Sequence, residues 1–178
     1  MKILLIRHAK VDFNWRKWSS ASQFDEDCEG YDMAPVLPVS SSVPDDTISR
    51  IYISSLKRTG DTARQIFGDK EYIASDLIDE VPLSSSIGLK NKMPLSFWNI
   101  TGRLQWWFNS RKQKEGRKET FLRAALFIDT VEAKKEDCAV VTHGFFMHTL
   151  ISVLKKRGFH IGNTSLHYAN CECIVAEI

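Results

Sequence analysis

The chain has 178 residues, 43% of them hydrophobic and 26% charged, with a mean hydropathy of −0.23. These proportions exclude wholesale disorder and suffice for a sizeable core, so one domain over residues 1–178 is expected. A formal charge of +2 gives no argument for a nucleic-acid partner, no apolar run reaches membrane-spanning length, and Met1 to Ile6 is too short for a signal peptide, so a cytoplasmic location is expected.

Cys28, Cys138, Cys171 and Cys173 contain no CxxC pair, which favours reduced structural thiols. Cys171 and Cys173 share a face of one strand, but no second pair stands at ligand spacing. No metal site and no cofactor are expected.

Ile3-Leu4-Leu5-Ile6 reads as a strand buried on both faces, and Arg7-His8 emerges where it leaves the sheet. Residues 19–47 collect serine, aspartate and the prolines Pro35, Pro38 and Pro44. An extended surface segment, lying over a site and lacking a long helix, is expected there. Arg50 to Ser54 is a second strand, and a helix from about Thr59 to Phe67 follows it with Gly68 as its cap. A short strand over Glu71 to Ala74 leads to Asp79 and Glu80, which Pro82 leaves on a loop.

The composition shifts between Gly88 and Lys118, where eight basic residues face the single acid Glu115 and three of the five tryptophans fall. This is expected to be a basic, Trp-rich insertion. Phe97, Ile100, Leu104 and Trp107 recur at helical spacing, which predicts a helix with that face on the core and a solvated basic face. Membrane association is therefore not expected, docking through residues 95–108 being the alternative. A further helix over about Lys118 to Lys134 presents Phe121, Ala125, Ile128 and Val131. Cys138 to Thr142 is a buried strand ending in His143-Gly144, followed by a helix from about Phe145 to Arg157. Asn163-Thr164-Ser165 reads as a turn, and Cys171 to Ile178 as the last strand. Alternating strands and helices predict a three-layer α/β domain with a mostly parallel central sheet flanked by helices.

Parallel strands bring their C-terminal ends to one edge, where ligands of open α/β sheets bind, so Arg7, His8, Arg58 and His143 can converge. Two arginines and two histidines around one point suit an anion, since the guanidinium fork donates bidentate, charge-assisted hydrogen bonds. His148, His160 and His167 are read as structural.

Arg7-His8-Ala9-Lys10, the run Ser54 to Ala63, and Val141-Thr142-His143-Gly144 resemble the three signatures of the histidine phosphatase superfamily, or phosphoglycerate mutase-like family. They stand in the family's order, and Asn163-Thr164-Ser165 resembles a further family feature. The resemblance implies the phosphoglycerate mutase-like fold and a phosphohistidine mechanism acting on a small phosphorylated substrate without metal. His8 would be the nucleophile; Arg7, Arg58 and His143 would hold the phosphoryl oxygens, with Asn14 near the phosphate. An acid between the second and third motifs would protonate the leaving group, with Glu80 the candidate and Asp79 the runner-up.

Ala9 stands where the family usually has glycine, and Lys10 where many members carry glutamate, which implies a more anionic substrate. The expected activity is phosphomonoester hydrolysis. The alternatives are a mutase-type phosphotransferase, disfavoured by the short chain and missing tail, and a catalytically silent phosphate-binding protein.

Overall fold

The computed structural model describes residues 1–40, 45, 47–162 and 167–178. The expected turn at Asn163-Thr164-Ser165 lies outside the described residues. In chain order the elements are β1 (Lys2–Arg7), β2 (Trp18–Ser19), α1 (Ala21–Met33), β3 (Arg50–Ile53), α2 (Lys57–Phe67) and β4 (Tyr72–Ala74). After a 3-10 turn at Asp76–Ile78 come β5 (Met93–Pro94), α3 (Leu95–Trp107), α4 (Arg117–Glu132), β6 (Cys138–Thr142), α5 (Gly144–Lys156), β7 (His160–Ile161) and β8 (Cys173–Glu177).

The main sheet has the order β4-β3-β6-β1-β8-β7. Its first four members are mutually parallel, and β8 runs antiparallel to β1. The register sets Ile6 beside Val141 and Arg7 beside Thr142, so the segments after β1 and β6 leave the sheet side by side.

Strand alternation assigns the two faces. Ile3 and Leu5 of β1, with Cys138 and Val140 of β6, pack against α4 and α5 through Phe127, Ile128, Met147 and Leu150. Leu4 and Ile6, with Ala139 and Val141, turn to the other face and meet Ala63, Ile66 and Phe67 of α2. Covering both faces explains the unbroken apolar runs, each fully buried aliphatic side chain contributing about 1.5–3 kcal/mol.

The expectation of no long helix within residues 19–47 is overturned by α1. All three prolines of that stretch lie after Met33, and Pro35 does no more than end the helix, its predecessor Ala34 being extended at ψ 148°. A capping box starts it: the Gln23 N–H donates to Ser20 Oγ at 3.4 Å, and the Ser20 N–H donates to Gln23 Oε1 at 3.1 Å. Phe24 is fully buried and stacks on Trp98 of α3, the ring centroids being 5.7 Å apart.

A second correction concerns the face of α3. Trp98, Gly102 and Trp106 point inward, whereas Ile100, Leu104 and Trp107 are 61%, 52% and 51% exposed. The tryptophans turn inward because each finds an acceptor, Ser19 O at 3.0 Å for Trp98 and Thr120 Oγ1 at 2.8 Å for Trp106. Gly102 allows the close approach: a Cβ there would come within 2.5 Å of Leu83 Cδ1. In α4, Thr120, Ala124, Phe127, Ile128 and Val131 are buried, with Phe121 and Ala125 only partly so; the buried face is turned slightly from the expected one.

Candidate active site

The ends of β1, β3 and β6 and the start of α2 and α5 meet at one edge of the sheet. His8 is 2% exposed, and its backbone N–H donates to Thr142 O at 2.9 Å, which ties the end of β1 to the end of β6. Its Nδ1 lies 2.7 Å from Ala9 O. A carbonyl only accepts, so Nδ1 carries the proton and Nε2 keeps its lone pair. Burial pushes His8 from its ordinary 6.5 down to about 3, opposed by that carbonyl and reinforced by the charges of Arg58 and Arg7.

His143 is fully buried, its ring 5.1 Å from that of His8. Here the tautomer is the opposite one. Arg58 Nε donates to His143 Nδ1 at 3.1 Å, so the proton of the neutral ring sits on Nε2 and is donated to Ser54 Oγ at 2.7 Å. The Ser54 hydroxyl in turn donates to Thr59 Oγ1 at 3.0 Å, and Thr59 donates to Leu56 O at 2.9 Å. Burial first, then Arg58, the neighbouring His8 ring, Arg123 and Arg7, hold His143 well below its ordinary value. With both nitrogens engaged within the protein, His143 orients Arg58.

Arg58 is 1% exposed on the first turn of α2. Its Nη1 pairs with Asp32 Oδ1 at 2.7 Å, and its guanidinium lies 5.1 Å from the Tyr31 ring centroid, both groups belonging to α1. Arg7 donates through Nη1 to the carbonyl of Tyr168, while its buried Nε has no hydrogen-bond partner among the described residues. An orphaned buried donor on the half-buried Arg7, in a site that also holds the buried Arg58, marks a place for an anion. Gly144 makes room for this arginine: a Cβ there would stand 2.9 Å from Arg7 Nε.

The two acids part company. Asp79 has both carboxylate oxygens on Ser55, accepting from its N–H at 2.7 Å and its hydroxyl at 2.5 Å. Glu80 lies under the start of α5, where Oε1 accepts from Phe146 N at 3.0 Å and Val81 N at 2.9 Å, and Oε2 from Phe145 N at 3.4 Å. Asn14 is exposed on the loop beyond β1, and Lys10 is exposed beside it. Ala9 is buried, and its N–H donates to Thr62 Oγ1 at 2.9 Å.

Several contributors escaped the sequence reading. Tyr31 and Asp32 lay in the segment read as extended, and Ser54 and Thr62 lie inside the second motif without any mark of their bonds. Asn170, which donates to His8 O at 2.8 Å, has no local signal at all.

The model of the histidine phosphatase superfamily (branch 1) matches residues 3–178. The chain belongs to this superfamily. No curated protein matches its sequence. Similar solved structures include the alpha-ribazole phosphatase of Shigella flexneri, with 15% identity, a TM-score of 0.60, and coverage of 98% of this chain and 89% of that one. A mycobacterial glucosyl-3-phosphoglycerate phosphatase aligns with 15% identity and a TM-score of 0.58, over 98% and 88% of the two chains. The phosphoserine phosphatase of Entamoeba histolytica, in complex with 3-phosphoglyceric acid, gives 17% identity and 0.56, over 98% and 89%. They share the phosphoglycerate mutase-like fold of this chain, a mostly parallel sheet flanked by helices.

Proposed function

We propose that the protein hydrolyses phosphomonoesters through a phosphohistidine on His8, without a metal. The observation that carries this reading is the tautomer of His8: a buried, neutral imidazole whose unprotonated Nε2 belongs to a site containing two arginine guanidiniums. Nε2 attacks phosphorus in line, the ester oxygen leaves, and water then attacks the phosphohistidine. Arg7 and Arg58 supply positive charge against the negative charge that spreads over the phosphoryl oxygens, which is the work a metal would do elsewhere. Glu80 gives the leaving oxygen its proton; both acids accept hydrogen bonds, Asp79 from Ser55 and Glu80 from Val81, Phe145 and Phe146, and Glu80 is preferred because Phe145 follows Gly144, against which Arg7 lies. His143 keeps Arg58 aimed, and reaches phosphate itself only by releasing Ser54. Asn14, exposed on the loop beyond His8, is assigned to the phosphate by the family resemblance alone. Phosphatases among the similar folds support the reaction class.

The purified protein should hydrolyse p-nitrophenyl phosphate in the presence of a chelator, and His8→Ala should abolish the reaction. Brief reaction with a labelled ester and acid-free quenching should leave label on His8. Equal turnover by wild type and His8→Ala would defeat the proposal.

A further inference from the structure

Between the outer face of α3 and the first turns of α5 lies a groove of about 610 Å³ lined by Ile100, Leu104, Trp106, Trp107, Phe145 and His148. That volume lies within the range of small-molecule sites. Trp106 forms an inner wall, 6% exposed and edge-on to Phe145 at 4.8 Å between ring centroids. Trp107 is held from one side by Arg117, whose guanidinium carbon lies 3.9 Å from the ring centroid. Large apolar side chains left half in water, on a concave and braced surface, are costly unless something covers them.

One lining residue, Phe145, links the groove to the phosphate site. Phe145 is one residue past Gly144, against which Arg7 lies, and its N–H donates to Glu80. On its other side the Phe145 ring carries the Arg103 guanidinium at 3.7 Å, and Arg103 also donates to Val81 O at 3.1 Å, next to Glu80. Phe145 thus stands between the proposed acid and the groove. We infer that this groove is the leaving-group site and that the physiological substrates are monoesters of aromatic or bulky apolar alcohols. The inference rests on the phosphatase reading above. It commits the exposed face of α3 to substrate, which the concave shape and the link through Phe145 to Glu80 favour over a lipid surface.

The test reads binding without turnover. By calorimetry, the wild type should bind 1-naphthylmethylphosphonate about ten-fold or more tightly than methylphosphonate, and Leu104→Glu should bring that ratio close to one. Leu104 is half exposed on a helix and glutamate is a good helix former, so the variant folds. Equal affinities in the wild type, no binding of either phosphonate, or a preference that survives Leu104→Glu would overturn the inference. So would equal phosphonate affinities together with sedimentation on phosphatidylglycerol vesicles that Leu104→Glu abolishes, which would make the face a lipid contact. Failure to hydrolyse p-nitrophenyl phosphate, with the phosphonate preference intact, counts against the phosphatase reading instead.

Discussion

His8 and His143 sit 5.1 Å apart with opposite tautomers, and a single partner decides each: a carbonyl at Nδ1 of one, an arginine N–H at Nδ1 of the other. One ring is thereby left with a lone pair to spend and the other is used up in positioning. Glu80 can be separated from this pair by chemistry, because p-nitrophenolate leaves without a proton whereas an alkoxide does not. Glu80→Gln retains an oxygen to accept from Phe146 and Val81 but has no proton to deliver. It should lower kcat for an alkyl phosphate by about 10²–10⁴-fold while changing p-nitrophenyl phosphate turnover by less than about ten-fold. Equal losses on the two esters would show that Glu80 acts only as a cap on α5.

At the scale of elements, β1, β3, β6, α2 and α5 were legible in the sequence because each carries an unambiguous pattern: a continuous apolar run for a strand covered on both faces, or a helix closed by glycine. The convergence of Arg7, Arg58 and His143 followed from strand direction alone. What could not be read was the layer above the site. α1 has polar residues over most of its surface and is held by Phe24 and Trp98, neither of which belongs to the main core clusters. Its register depends on a tryptophan 74 positions away in sequence, which no local pattern announces. The tryptophan-bearing face of α3 was misread for the same reason: spacing identifies two apolar faces, and only the distant acceptors at Ser19 and Thr120 choose between them. This separate anchoring gives a prediction. Phe24→Ala should cost about 3–5 kcal/mol locally, so hydrogen exchange should speed by about 10²-fold or more across residues 21–33. Amides of β1 and β6 should keep their protection, and Asp32 should release Arg58 for part of the time, raising KM. Uniform acceleration along the chain would show instead that α1 and the sheet unfold as one unit.

The molecule as a whole pays for a buried, neutral imidazole at His8 with sensitivity to acid. In the unfolded chain His8 takes a proton near its ordinary 6.5, whereas in the folded protein it does so only near 3, with Arg7 and Arg58 opposing its charge from β1 and α2. The unfolded state therefore binds more protons throughout that interval, and stability falls as pH falls through it. For His8 alone the loss is about 2 kcal/mol at pH 5, before carboxylates contribute much. His143 and His148, both shifted down chiefly by burial, act in the same sense. A change of that size lowers the thermal midpoint of a chain this long by about 4 to 8 °C. The wild type should therefore lose midpoint steadily between pH 7 and pH 5, a window set by imidazoles. His8→Gln, which keeps a polar group in the cavity but cannot titrate, should lose about 2 kcal/mol less over the same interval. Parallel curves for the two proteins would mean that His8 takes its proton in the folded state near its ordinary 6.5, and the shift assigned to burial would be refuted.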